Sequence, residues 1–423
     1  MSRFRLRKSA FGVTLVTLVA LAATACASDK AVDGSVAIGA DGVKHGPGVT
    51  DDKITVGLIT DLTGPYAPLG KSISQAGQLY YEKVNAAGGI CGRTIEPIVR
   101  DMGYDVQKTV SAYTELEPRV AALPQFIGSA TVAAVRDRLE AGGPLTLALA
   151  WAPSLLGADS IQMTGTTYAV DVINGVDFLV KERGLKAGDK IGHVYVEGDY
   201  GDDSLAGSKY AAGKLGMSVV EQKVKATDAD MSSQVSAMEQ AGVKAVILST
   251  APRQTASFAG VAGATGLKVP LLGSNSAFAP QLLATPAGPA LLGDFHIMQA
   301  SSPLSADLPV MKEIIDGYKA KFPQDGLDNG VMAGYTGAVV VGDALKKACE
   351  NKDLSRAGII AAHRSQSAWD GGFGSTMDFT DPKQPPTRET YILKADKEAV
   401  GGLKVVKEAA VSELAASYEI KVG

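Results

Sequence analysis

The sequence predicts an α/β protein of two lobes with parallel-type sheets, joined by a hinge of several chain crossings. Three observations predict it. From Ile54 onward, short β-rich runs alternate with longer helical patterns, the signature of βαβ units. Several β-rich runs, such as Ala245-Val-Ile-Leu248, are apolar at every position, as expected where helices cover both faces of a sheet. One such sheet needs only about half of this chain, at roughly 100–200 residues per domain. The alternation restarts after Gly165, where a helical run leads to a new strand at Ile191.

Taken in order, strands are expected at 54–60, 94–101, 125–128, 145–150, 191–197, 218–225, 245–250, 269–273 and 295–300. Apolar residues at helical spacing predict helices over 72–85, 106–117, 132–140, 170–183, 204–215, 232–240, 255–265 and 308–321. After the stiff turn Pro382-Lys-Gln-Pro-Pro386, a final strand pair is expected at 390–395 and 403–408. Polar, Gly-rich stretches at 165–168, 301–304 and 371–380 are the expected crossings. The first lobe then takes residues 51–166 plus 302–372, and the second takes 167–301 plus 373–423. A cleft between lobes, at the carboxyl ends of strands, is where such a fold takes a ligand.

Composition narrows the function. The 423 residues are 46% hydrophobic and 20% charged, which supports a packed core and excludes wholesale disorder. The net charge of −4 leaves no basic excess for phosphates, so no nucleic-acid partner is expected. Three cysteines and four histidines are too few and scattered for a structural zinc cluster, and neither metal nor cofactor is expected.

The N-terminus reads as an export signal. Arg3, Arg5, Arg7 and Lys8 precede an apolar run over 11–23, too short for a span of about 20 apolar residues. Ala23-Thr-Ala-Cys26 follows, and it resembles the lipobox of bacterial lipoproteins, in which the cysteine is lipidated. Residues 1–25 are thus expected to be a signal peptide, and Cys26 a lipid anchor to the cell membrane outside the cytoplasm. The plainer alternative is a soluble secreted protein in which Cys26 is incidental. Residues 26–50, small, polar and Gly-rich, read as a flexible tether. The other two cysteines, Cys91 and Cys349, are a disulfide candidate in an oxidising space; two buried free thiols are the other reading.

One motif is rejected. Gly64-Pro-Tyr-Ala-Pro-Leu-Gly70-Lys71-Ser72 fits the phosphate-loop pattern and lies between a strand and a helix. Such a loop works by pointing backbone N–H groups at the anion, and Pro65 and Pro68 have none. A close strand-to-helix turn at the cleft mouth is the expected role.

The run Ile54-Thr-Val-Gly-Leu-Ile-Thr-Asp-Leu-Thr-Gly-Pro-Tyr66, followed by Tyr80-Tyr-Glu-Lys-Val-Asn-Ala-Ala-Gly-Gly-Ile-Cys-Gly92, resembles the type I extracytoplasmic solute-binding proteins of ABC importers. The branch is that of the leucine/isoleucine/valine-binding proteins. Phe126-Ile-Gly128, Ala150-Trp-Ala-Pro153, Asp199-Tyr-Gly201 and Ala264-Thr-Gly-Leu267 continue the likeness in order over about residues 52–395. The resemblance implies two Rossmann-like lobes that close on a small solute and present it, unaltered, to a membrane permease. It also puts both Cys91 and Cys349 in first-lobe segments. A monomer is expected.

The resemblance implies ligand contacts from Tyr66, Leu69, Ser129, Thr131, Ala150 and Trp151 of the first lobe and from Tyr200, Ala251 and Asn275 of the second. Tyr335 starts a helical stretch that faces either cleft or core. Two departures bear on the ligand. The family's ammonium-binding acid falls on Asn275, and a neutral amide does not offset the desolvation of a buried ammonium. A hydroxyl position falls on Trp151, whose indole adds a large apolar face with one N–H donor. A carboxylate or amide with a flat or apolar body is therefore expected over a free branched-chain amino acid. Asp61, Asp199 or Asp202 taking the missing acid's place would keep amino acids in play.

No Gly-x-Ser-x-Gly elbow, His-Glu-x-x-His or Ser-x-x-Lys set with its partner motifs occurs, His193 sits within a strand pattern where a packed or surface role is expected, and His296 and His363 have no evident nucleophile partner, so an enzyme is not expected. The alternative function is an extracytoplasmic sensor that reports the ligand to a signalling partner, because one fold serves both.

Overall fold

The computed structural model describes residues 36–422. The expected signal peptide, Cys26 and the first part of the expected tether lie outside the described residues. The chain runs through β1 (Ala37–Ile38), β2 (Lys44–His45), β3 (Lys53–Thr60), α1 (Ala67–Ala86), β4 (Thr94–Asp101), α2 (Val106–Leu116), β5 (Ala122–Ile127), α3 (Ser129–Ala133), α4 (Arg136–Glu140), β6 (Leu145–Leu149) and β7 (Ile161–Met163). Strands β3 to β7 form one parallel five-stranded sheet in the order β4-β3-β5-β6-β7. All six residues of β5 are buried, as a strand covered on both faces requires.

The second lobe follows with α5 (Tyr168–Arg183), β8 (Lys190–Val196), α6 (Asp199–Lys214), β9 (Ser218–Val224), α7 (Ser232–Ala241), β10 (Ala245–Ser249), α8 (Pro252–Thr265), β11 (Leu271–Ser274), α9 (Gly288–Asp294) and β12 (Phe295–Gln299). The chain returns to the first lobe through α10 (Pro309–Lys321), α11 (Asn329–Glu350), β13 (Asp353–Leu354) and α12 (Arg356–Arg364). It ends on the second lobe with β14 (Thr390–Ala395), β15 (Leu403–Ala410) and α13 (Glu413–Ser417). The second sheet has seven strands in the order β15-β14-β12-β11-β10-β8-β9. Its β8 to β12 are parallel, and β14 and β15 join antiparallel. Two parallel-rich lobes with several crossings are the predicted fold class.

Helices α1 and α11 pack face to face and form one wall of the cleft. Gly334 permits the approach: a Cβ there would sit 2.0 Å from the Ile73 carbonyl oxygen. Gly70 lets α1 close on the end of β3, since its Cβ would lie 1.9 Å from the Asp61 carbonyl oxygen. The segment resembling a phosphate loop is thus the packed first turns of α1. Lys71 there pairs with Asp325 at 2.6 Å, and the Ser72 hydroxyl donates to Asp328 at 2.6 Å.

Several expectations are corrected. Residues 36–50 are not a free tether. Strand β2 pairs with β1 and β13, and Val43 and Val49 are buried on the first-lobe core. The fully buried Arg93 side chain donates to Asp41 at 2.7 Å and to the Thr50 carbonyl at 2.6 Å, which ties the segment down. The last crossing comes later than 373, because Phe373, Met377 and Phe379 pack in the first-lobe core and the second sheet resumes only at Thr390. The helix expected over 132–140 is two short helices, and α6 begins at Asp199, where Asp199 and Asp202 favour a helix start. Cys91 and Cys349 stand side by side, with Cα atoms 5.9 Å apart.

Candidate functional site

Loops at the carboxyl ends of β3, β6, β11 and β12 converge between the lobes on a cavity of about 90 Å³. The space is a narrow slot. Leu69 and Ile73 of α1, Ile127, Leu149, Ala333 of α11 and Met377 make its wall apolar. Among the described residues, no lysine, arginine or histidine lines it, and Asp171 is its one carboxylate.

Trp151 and Tyr66 supply aromatic faces. The Trp151 indole N–H donates to the Thr164 carbonyl, and the ring meets Tyr168 edge-on at 5.9 Å. Its one donor is therefore spent within the protein, and it offers the slot carbon surface.

Four tyrosines meet where the lobes touch. Tyr66 and Tyr104 of the first lobe lie 4.7 Å apart, and Tyr168 and Tyr200 of the second 4.6 Å, centroid to centroid. Burial pushes all four phenols up, Tyr200 to about 12, so each remains a neutral donor. The Tyr200 hydroxyl bonds with Ser274 and Ser276, whereas the buried Tyr66 hydroxyl has no protein partner of hydrogen-bond geometry. Nor has Ser129 Oγ, buried beside the Tyr168 phenol.

Polar groups at the hinge are Asp171 of α5, Asn275 after β11, Gln299 at the end of β12 and Ser301 beyond it; Thr164, Ser276, and Asn329 and Thr336 of α11 also line the slot, with Asn329 Nδ2 and Thr336 Oγ1 buried and unpartnered among the described residues. The Thr390 hydroxyl donates to Asp171 Oδ1 at 2.6 Å. Burial pushes the Asp171 carboxyl up to about 7, against the Thr390 hydrogen bond and with help from nearby Asp203.

Of the residues anticipated from sequence, Tyr66, Leu69, Trp151 and Asn275 line the slot. The others do not. Thr131 turns its hydroxyl back to the Ile127 and Gly128 carbonyls. Ala150 is wholly buried behind the wall, and Tyr200 and Ser129 stand at the lobe junction. Ala251 lines a separate groove at the cleft mouth with Pro65 and Pro68. Tyr335 faces the first-lobe core, where it donates to Glu313 at 2.9 Å and meets Tyr80 edge-on.

The three acids considered as substitutes also lie elsewhere. Asp61 accepts the Gly64 and Tyr66 backbone N–H groups. Asp199 accepts the Ser154 hydroxyl, and exposed Asp202 pairs with Lys223 at 3.8 Å. Asp171 escaped notice because it interrupts the apolar run Tyr168-Ala-Val-Asp-Val-Ile, which reads as a buried helix start.

The sequence profile of the family described as "Periplasmic binding protein" matches residues 53–399. The chain belongs to the periplasmic binding protein family. The fatty acid ABC transporter substrate-binding protein from Thermomonospora curvata is 56% identical, with a TM-score of 0.90 over 91% of this chain and 99% of that one. A branched chain amino acid ABC transporter from Thermus thermophilus, solved with bound valine, shares the fold at 21% identity and a TM-score of 0.76, over 87% of this chain and 98% of that one. The leucine-, isoleucine-, valine-, threonine-, and alanine-binding protein of Pseudomonas aeruginosa is 24% identical over 71% of this chain and 79% of its own. Among the described residues of this family member, no helix is long and apolar enough to cross a membrane.

Proposed function

We propose that this protein is the substrate-binding lipoprotein of an ABC importer and that its ligand is an aliphatic carboxylic acid. The lobes take the acid between them and hand it, unaltered, to a permease. The observation that carries the reading is the slot: narrow, walled by Leu69, Ile73, Ile127, Leu149 and Trp151, and, among the described residues, free of cationic side chains. An alkyl chain gains about 0.8 kcal/mol for each methylene it buries in such a wall. The 56% identity to a protein named for fatty acids supports the same ligand class. Tyr66, Leu69, Trp151 and Asn275 are the proposed direct contacts, with Ser129 and Tyr200 acting where the lobes meet.

Closure is a population shift, because only a ligand gripped by both lobes favours the closed form. The protein acts as a monomer held to the outer face of the membrane by lipidated Cys26. The 5.9 Å between the Cα atoms of Cys91 and Cys349 is within the range a disulfide spans, which supports a bridge in the exported protein.

A thermal-shift and native mass-spectrometry screen tests the ligand class. Dodecanoic and hexadecanoic acids should bind at micromolar concentration or below, and leucine, isoleucine and valine should not. Saturable binding of the amino acids, with no binding of the alkyl acids, would overturn the reading.

A further inference from the structure

The hinge end of the slot gathers the Asp171 carboxyl and the side-chain amides of Gln299 and Asn275, with no cation there among the described residues. Gln299, 1% exposed, donates its Nε2 to the Ser301 carbonyl at 2.8 Å, which leaves its buried Oε1 without a partner. Asn275 Oδ1 is likewise buried and unpartnered. Ser274 pairs with Met298 across β11 and β12, so Asn275, just past β11, and Gln299, the last residue of β12, come next on adjacent strands.

Asp171 completes the set, and its surroundings fix its role. The Ser412 N–H donates to Asn174 Oδ1 at 2.8 Å, Asn174 Nδ2 donates to Thr390 Oγ1 at 2.9 Å, and the Thr390 hydroxyl hydrogen therefore goes to Asp171. Among the described residues, no further hydrogen bond ties down the Asp171 carboxyl, which lines the slot.

The charged groups on the elements packed around Asp171 do not neutralise it. Asp203 of α6 is itself buried, accepts the Ala169 N–H and adds like charge, and Asp199 stands next to Asp203. Arg388, ahead of β14, is engaged by the Ala415 and Tyr418 carbonyls. Lys407 of β15 and Lys181 pair with Asp177 further along α5, and Glu413 of α13 acts on Lys181.

We infer that the ligand's carboxyl docks at this hinge end and is held to Asp171 by a single shared proton, so that the protein takes up an aliphatic acid together with one proton. This rests on the ligand class proposed above. A carboxylate brought against ionised Asp171 would meet a like charge, with no lysine, arginine or histidine among the described lining residues to offset it, and the neutral N–H groups of Asn275 do not cancel that repulsion. With one proton between the two carboxyl groups, one oxygen donates and the other accepts, as like-charged carboxylates at close range require. When Asp171 is protonated, it supplies that proton and the ionised ligand binds without net uptake. When Asp171 is ionised, the proton comes from solvent. The Asp171 carboxyl lies up at about 7, so the change between the two regimes falls near neutral pH.

The test is the affinity of the exported protein for dodecanoic acid between pH 5.5 and 8.5, with 1-dodecanol and dodecylamine as companion probes. Affinity for the acid should be level below about pH 7 and fall by about ten-fold per pH unit above it. Asp171→Asn should remove that slope. Thr390→Val, which takes away the hydroxyl donated to Asp171, should move the break to higher pH and covers the case in which Asp171→Asn does not fold. The alcohol, which carries its own proton, should show no fall. Tight dodecanoate binding with a level profile would overturn the shared proton while leaving the ligand class standing. Dodecylamine binding more tightly than the acid would overturn it too, by assigning the Asp171 carboxylate to a cation. Failure of every alkyl acid to bind would overturn the ligand class itself.

Discussion

The Ser154 hydroxyl of the first lobe donates to the Asp199 carboxylate at the start of α6 in the second lobe, across 2.7 Å. This contact spans the cleft away from the slot, so it bears on closure and not on ligand choice. Hydrogen bonds to charged groups contribute about 1.5–3 kcal/mol when well buried, and this one is only partly so. Ser154→Ala should weaken dodecanoate binding about three- to ten-fold while leaving the ranking of ligands unchanged. Titration calorimetry measures both, and unchanged affinity would mean that the contact adds nothing to the closed form.

Trp151 sets the slot's width through a fixed pose, with its N–H on the Thr164 carbonyl and its edge on Tyr168. Trp151→Ala removes that wall and should weaken ligand binding about ten-fold or more, within the range of large aromatic truncations. Trp151→Phe keeps a ring but frees the Thr164 carbonyl, and should lose less. Equal affinity in all three proteins would remove Trp151 from the site.

The fold was legible where burial imposes a long apolar run. Strands β4 and β14 have the expected bounds, and β10 falls one residue short of them, because each carries its own period or run. Three kinds of feature were not legible. Strand β7 has three residues and the β1–β2 pair two each, lengths that carry no period. Residues 36–50 are held by single contacts, Val43, Val49 and the Arg93–Asp41 pair, which only the tertiary fold brings together. The hinge end of the slot draws Asp171, Asn275 and Gln299 from three separate elements, and a buried aspartate within an apolar helix start resembles any other interruption of a pattern. Tyr66, Trp151 and Asn275 line the slot from segments that follow strands, and Leu69 lines it from the first turn of α1.

Ala333 lines the slot from α11, opposite residues of α1 that cannot retreat because Gly334 already rests against Ile73. A larger side chain at 333 therefore shortens the space open to an alkyl tail. Ala333→Leu should shift preference toward shorter acids, with each excluded methylene costing about 0.8 kcal/mol. Loss of two methylenes changes the hexadecanoate-to-octanoate affinity ratio by about ten-fold or more. An unaltered ratio, with the variant folded, would place the tail elsewhere.

His193 gives the fold an acid sensitivity that a variant isolates. The ring is fully buried in β8, with Nδ1 2.8 Å from Ser208 Oγ and Nε2 2.9 Å from Ser249 Oγ. Burial, aided by the Lys209 charge, pushes its pKa down to about 3, whereas an unfolded chain protonates its histidines near 6.5. The unfolded state thus binds the proton first. The stability carried by the neutral ring is complete above about pH 6.5 and is lost as pH falls toward 3, by about 1.4 kcal/mol per pH unit. Asp171 and Asp203 act in the opposite sense: both are pushed up to about 7, and their protonated forms favour the folded state progressively as pH falls below that value. The wild-type profile alone mixes these contributions. His193→Gln keeps a side chain able to bond both serines and leaves the other groups in place, so the difference between the two proteins reports His193. Urea midpoints measured from pH 7.5 to pH 4 should converge as pH falls, because wild type loses stability that the variant does not. Parallel curves would mean that the ring is protonated in the folded protein.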